Sequence, residues 1–177
     1  GVPPHARRTM TGEHLSADVQ ELLQLLQRHR VRYLIVGGEA VIFHGYPRLT
    51  GDVDLFYERT PANVKRLFLA LQEFWGGEVP ALESADELLP PGVVVQFGRP
   101  PNRIDLLGQL GTVSFARAWT RRSSESLTTA SGKRCRIHLI GARDLIQSKR
   151  DAGRHKDLDD VEHLEALSTT RPRRKKR

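Results

Sequence analysis

Two carboxylates stand one residue apart in Gly51-Asp52-Val53-Asp54-Leu55, at the head of a short apolar segment that runs to Tyr57. Read as a strand, this segment turns Asp52 and Asp54 to one face and Val53 and Leu55 to the other. The apolar pair must then face a core, and the acids must stand side by side. Like charges held that close repel, and the arrangement is costly unless a cation lies between them. A fold that keeps this segment has to pair it into a sheet and bring positive charge to its polar face.

The rest of the chain supplies elements for such a sheet. Ser16 begins a helical pattern with Val19, Leu22, Leu23 and Leu26 on one stripe, ending near His29-Arg30. Arg32 to Val36 is a strand candidate stopped by Gly37-Gly38, and Glu39 to His44 is a brief helix. Thr60-Pro61 starts a helix, with Thr as cap and Pro at the first position; its stripe is Val64, Leu67, Phe68, Leu71 and Phe74, and Gly76-Gly77 ends it. Ser84 to Leu89 is a short helix within a loop. Val93 to Phe97 and Arg103 to Leu107 form a hairpin across a Gly-, Pro- and Asn-rich turn. Ser114 to Arg121 is helical, Arg136 to Ile140 is a half-buried strand, and Arg143 to Ala152 and Lys156 to Leu167 are helices. This order predicts an α/β (α+β) fold: a mixed sheet of about five strands flanked by helices, with helices at the C-terminal end. Gly37-Gly38 is not part of a G-x-G-x-x-G fingerprint, which argues against a doubly wound dinucleotide fold.

The chain has 177 residues, 38% apolar and 28% charged, enough for one domain with a real core. No apolar run is long enough to span a bilayer, and no signal peptide is read at the N-terminus. A single cysteine, Cys135, allows no intrachain disulfide, so a cytoplasmic setting is expected, with Cys135 a small semi-buried strand residue. Residues 1–9 precede the only methionine, Met10, and are set outside the fold as an extension. The domain is expected over 10–168, and 169–177 as a disordered basic tail. Six of the last seven residues are Lys or Arg, so much of the net charge of +7 sits there. That tail is expected to be a solvated end, with contact to RNA phosphates left open.

A third acid strengthens the reading of Asp52 and Asp54. Asp105 interrupts the apolar segment Ile104-Asp105-Leu106-Leu107 and needs a partner there. If this strand lies beside the first, three carboxylates converge. They are then expected to be catalytic and to bind divalent metal, Mg²⁺ or Mn²⁺, in a two-metal site for in-line attack at a phosphoryl centre. A strand ending in Gly37-Gly38 and turning into a helix presents backbone N–H groups with no side chains in the way, which favours phosphate; alone, it is also an ordinary turn needing positive φ.

The pattern Gly37-Gly38…Asp52-x-Asp54…Asp105 resembles the signature of the DNA polymerase β-type nucleotidyltransferase superfamily. The text Gly38-Glu39-Ala40…His44-Gly45…Arg48-x-Thr50-x-Asp52-x-Asp54 is similar to small AbiEii-like nucleotidyltransferases of bacteria, which include toxins of toxin–antitoxin pairs. Lys149…Arg154-x-Lys156-Asp157-x-x-Asp160 resembles that family's later motif, and the likeness covers roughly residues 31–167. Position 38 is Gly where many relatives have Ser. The resemblance implies a nucleotidyltransferase fold and transfer of a nucleoside monophosphate from an NTP such as ATP to an acceptor hydroxyl on RNA or tRNA, a protein or a small molecule. It implies metal at Asp52, Asp54 and Asp105, phosphate at Gly37 and Gly38, and further nucleotide contacts from Lys149, Lys156 and Asp157. Arg48 is expected to cover phosphates or to pair with Asp52. Thr50 is expected to accept a local hydrogen bond at the turn into the strand, and His44 is read as a hydrogen-bonding loop residue. A cognate toxin or antitoxin partner is also implied. The alternative is a non-catalytic, nucleotidyltransferase-like antitoxin or regulatory binding module.

Overall fold

The structure, a computed structural model, describes residues 9–100 and 102–170. One mixed sheet organises it. In chain order the elements are β1 (Thr9–Thr11), α1 (Ala17–Arg28), β2 (Tyr33–Val36), α2 (Gly37–Phe43), β3 (Asp52–Tyr57), α3 (Pro61–Trp75), β4 (Val94–Phe97), β5 (Arg103–Leu107), α4 (Phe115–Thr120), β6 (Ser123–Thr128), β7 (Arg134–Leu139), α5 (Ala142–Ala152) and α6 (His155–Thr170). The strands lie in the order β1-β6-β7-β2-β3-β5-β4. β1/β6, β2/β7 and β3/β5 are parallel pairs; β2/β3, β4/β5 and β6/β7 are antiparallel.

The sheet therefore has seven strands rather than about five. The additional ones are β1, an edge strand of three residues, and β6. The sequence of β6, Ser-Ser-Glu-Ser-Leu-Thr, lacks the apolar alternation that marks a strand. Its pairing with β7 along six residues supplies the backbone hydrogen bonds that its side chains do not advertise. The hairpin of β4 and β5 forms as expected.

Capping sets the helix boundaries. Ser16 accepts a hydrogen bond from the Val19 N–H at 3.3 Å and starts α1; Thr60 accepts from the Asn63 N–H at 3.3 Å and starts α3, with Pro61 at the first turn. Gly76, at φ 73°, ends α3 in the left-handed conformation that glycine adopts without strain. The apolar stripes of α1 and α3 bury Leu22, Leu23, Leu26, Leu67 and Leu71 against Val53, Leu55 and Leu106 of the sheet. Each such side chain contributes roughly 2 kcal/mol when fully buried. Cys135 is buried in this core, and burial pushes its thiol pKa up.

The opposite face carries a smaller core: Leu34, Val36 and Phe56 packed with Ala40, Ala118, Ile140, Leu145 and Leu164. Here α2, α4, α5 and α6 meet the sheet. Strand alternation places Asp52 and Asp54 on this second face, since Val53 and Leu55 serve the first core. Among the described residues no helix is long and apolar enough to cross a membrane.

Candidate active site

Register brings the acids together. β3 and β5 are adjacent and parallel, with Asp54 opposite Asp105 and Asp52 opposite Arg103. β2 flanks β3 on its other side and sets Val36 opposite Asp54, so the turn into α2 arrives at the acids. Gly37 has φ +63°, and a Cβ there would overlap Asp54 Oδ2; glycine is required by both conformation and space. A Cβ on Gly38 would lie 2.6 Å from Thr50 Oγ1, so that position is also held to a bare backbone. Gly37 thus lets main chain approach the carboxylate centre closely, and Gly38 lets it approach Thr50.

The three carboxylates do not stand alone. Arg103 Nη2 donates to Asp52 Oδ2 at 2.7 Å and to Asp105 Oδ2 at 3.1 Å, and Gln96 Nε2 donates to the same Asp105 oxygen at 3.3 Å. Arg103 Nε lies 3.0 Å from Asp105 Oδ1, within ion-pair range but misaligned for a hydrogen bond. Asp52 Oδ1 and Asp105 Oδ1 are left buried with no hydrogen-bond donor. Burial raises the Asp54 carboxyl to about pKa 6, Asp105 and Asp52 add to the rise, and Lys149 and Arg103 oppose it.

A second cluster adjoins the first. Lys149 of α5 is buried, with Nζ 3.2 Å from Asp157 Oδ1 and 3.0 Å from Asp160 Oδ2 on α6. Arg154 donates from Nε to Asp157 Oδ2 at 2.6 Å, and Arg48 pairs with Asp160. Burial alone would raise the Asp157 carboxyl, but hydrogen bonds from Arg154 and Lys149 and their positive charges hold it below the ordinary value. Arg48 therefore takes Asp160 as its partner and not Asp52. Thr50 Oγ1 donates to the Asp52 carbonyl at 3.2 Å, so it gives the turn hydrogen bond it was expected to accept. A ring nitrogen of His44 bonds the Ile140 carbonyl at 2.7 Å, tying the end of α2 to the strand beside it.

The structure thus gathers Asp52, Asp54, Asp105, Gly37, Gly38 and Thr50, with Lys149, Asp157 and Arg48 in the adjoining cluster. Lys156 is exposed on α6 and makes no ion pair or side-chain hydrogen bond with these residues. Arg103, Gln96, Arg154 and Asp160 contribute without a role that the sequence alone assigns. Arg103 is signalled only by its place two residues before Asp105, on the same face of β5. Asp160 lies one turn after Asp157, within the quoted C-terminal run.

Among the described residues no group of three or more Asp, Glu, His or Cys side chains is arranged to hold a metal ion. The guanidinium of Arg103 already occupies the ground between Asp52 and Asp105. The donor chemistry nonetheless fits a hard divalent cation: three carboxylates, two buried oxygens without donors, and an Asp54 pKa raised first by burial and then by the charges of Asp105 and Asp52. An ion held by both Asp52 and Asp105 would compete with Arg103 for their oxygens.

Residues 13–170 match the sequence profile of a family described as "Nucleotidyltransferase of unknown function (DUF6036)". No curated protein is significantly similar to the chain.

Proposed function

The chain belongs to this family of nucleotidyltransferases of unknown function, and on that premise we propose that it moves a nucleoside monophosphate from an NTP to an acceptor hydroxyl. The observation that carries the reading is the register of β3 and β5, which sets Asp54 beside Asp105 with Asp52 on the same face. The acceptor oxygen attacks the α-phosphorus. A new P–O bond forms, the bond bridging to the β-phosphate breaks, and its electron pair leaves with pyrophosphate. Asp105 Oδ1, buried and without a donor, is the atom that takes the hydroxyl proton. Asp52, Asp54 and Asp105 would hold Mg²⁺ or Mn²⁺, which when bound supplies positive charge to the phosphoryl oxygens and the leaving group.

The remaining residues position the substrate. Gly37 and Gly38 admit the triphosphate against the main chain, where any side chain would collide with Asp54 or Thr50. Lys149 and Arg154 raise the positive potential at Asp54 while fixed by Asp157 and Asp160. Arg103, once released from Asp52 and Asp105, is free to meet phosphate with its planar fork. Incubation with labelled NTPs and Mg²⁺ or Mn²⁺ should label an acceptor among cellular RNA, the protein itself or small molecules. Asp54→Ala should lower that rate by about 10³-fold. Undiminished labelling by Asp52→Ala/Asp54→Ala protein would exclude this site.

A second reading has its own observation. Arg103 neutralises Asp52 and Asp105 without any ion, as a non-catalytic antitoxin or regulatory module would tolerate. That reading predicts no heat of NTP binding with Mg²⁺ present, and tight binding to a protein partner. A place in a toxin–antitoxin pair rests on the resemblance alone and accommodates either reading.

A further inference from the structure

β2 and β7 are parallel neighbours that share one registered pair, Ile35 with Leu139, and then part. The gap is a cleft of about 410 Å³, lined by Arg30, Val31, Arg32 and Tyr33 on one side and Arg136 and His138 on the other, with Gln27 and Trp119. Among the described residues no carboxylate lines it. Arg122 lies over the Trp119 ring, 3.8 Å from its centroid, and its Nη1 donates to the Trp119 carbonyl at 2.6 Å. Arg32 has one acidic partner, Glu58 at 3.3 Å. Arg30 and Arg136 have none among the described residues.

We propose that this arginine-rimmed cleft binds the phosphodiester backbone of a single-stranded nucleic acid. Guanidinium forks match phosphate oxygens in pairs, and uncompensated arginines release counterions when they meet phosphate. The charges continue in a row beyond the cleft: Arg134, in an adjoining pocket that also holds Glu125, and Arg136 are exposed on one face of β7, roughly 6.7 Å apart by strand geometry. A row suits a polymer of regularly spaced charges better than a lone anion. Ser124 and Ser126 stand opposite His138 and Arg136 across the β6–β7 ladder and add hydroxyls, which commonly serve phosphate and sugar oxygens. A duplex is too broad to enter a gap between two strands. A lipid surface is disfavoured because the exposed large apolar residues, Leu49, Leu69, Trp75, Val94, Leu158 and Leu167, all lie outside the cleft.

Charge crowding supports the site. Burial lowers the Arg122 pKa, and Arg32 and Arg136 lower it further. Burial also brings His138 down to about 4, with Arg122 and Arg136 contributing, so His138 enters as a neutral hydrogen-bonding ring. A larger groove of about 810 Å³ beside α5 and α6 also holds arginines, but there Arg121 pairs with Asp144 and Arg150 with Glu165. Its Arg117 and Arg143 make no ion pair among the described residues but share their groove with those carboxylates, and serve as a charge-matched control.

The test is fluorescence anisotropy of the full chain with short labelled oligouridylate and oligothymidylate, from roughly 50 to 200 mM salt. Arg32→Ser/Arg136→Ser should weaken binding by about tenfold and make the salt slope shallower by about 1.4, two lost contacts on a single strand. Arg117→Ser/Arg143→Ser should leave affinity within about twofold. Arg32→Lys/Arg136→Lys keeps the charge and should retain most of the binding, which guards against a folding defect in the serine variant. Equal losses in the two serine pairs would sink the proposal, as would full binding without Arg32 and Arg136. Anionic phosphatidylserine vesicles or polyglutamate competing as well as the oligonucleotides would also overturn it. The assay contains no NTP and no divalent metal, so its failure is distinct from a failure of transfer at the acids.

Discussion

At the C-terminal end of β2, carboxylates from β3 and β5 crowd together, and cations of the same chain are already among them. Arg103 bridges Asp52 and Asp105, and Lys149 adjoins them between Asp157 and Asp160. At the N-terminal end of β2, cations crowd instead, and the residues lining that cleft include no acid. The first region is balanced from within and must rearrange to take an ion. The second is unbalanced, with Glu58 on Arg32 as the one acidic partner of its lining arginines. Removing a charge should therefore have opposite consequences in the two places.

The largest effect is expected where internal balance is deepest. Lys149→Met would leave Asp157 and Asp160 buried, with Arg154 and Arg48 as their remaining partners, and should cost about 3 kcal/mol in denaturant unfolding. A loss below about 1 kcal/mol would mean that those two arginines suffice.

Asp54 should behave in the contrary sense. Its carboxyl has an ordinary value of 3.8 and is raised to about 6 in the fold. Between these values the folded chain holds a proton that the unfolded chain has released, so this group adds stability as pH falls from about 6 towards 4. Above about 6 the ionised group carries its full penalty. Asp54→Asn should therefore stabilise the protein by about 2 kcal/mol near pH 8, and the gain should vanish near pH 4. Thermal unfolding at the two pH values decides it; a gain that does not depend on pH would refute the charge argument.

Arg103→Gln tests whether the internal cation competes with metal. Calorimetric Mn²⁺ affinity should rise by about fivefold, roughly 1 kcal/mol. Unchanged or weaker affinity would show that Arg103 does not stand in the ion's way. The smallest effect belongs to the cleft. Arg136→Ser should raise stability by about 0.3 kcal/mol at low salt and by nothing at high salt, within the usual range for exposed positions. A clear destabilisation at both would mean that Arg136 packs rather than repels.

What could be read from the chain divides along the same line. The alternation in Asp52-Val53-Asp54-Leu55 fixes which side chains share a face, because a strand has a period of two. The helix starts at Ser16 and Thr60 are equally legible, because a helix start depends on residues adjacent in the chain; the structure shows both side chains as caps. Register is not local. Arg103 stands beside Asp105 in the text, yet its partnership with Asp52 exists only because β3 and β5 align in that one way. Lys149 could be read as an exposed helix residue until α6 folds back and buries it. The cleft was less visible still. Its arginines come from just past the end of α1, the lead into β2 and the middle of β7, and they meet only where two strands diverge. β6 itself is not legible in the sequence, because its polar residues carry no periodic signal.

The contact between Arg103 and Asp52 joins positions 51 residues apart, with α3 and β4 between them. Closing so long a segment costs chain entropy before any contact rewards it, and parallel pairing across such a span is intrinsically slow. During synthesis, β3 must wait with its carboxylates unmatched until the ribosome has delivered β5. The carboxylate centre therefore exists only once β5 has paired with β3; before that, Asp52 and Asp54 lack both Asp105 and the cation that Arg103 brings.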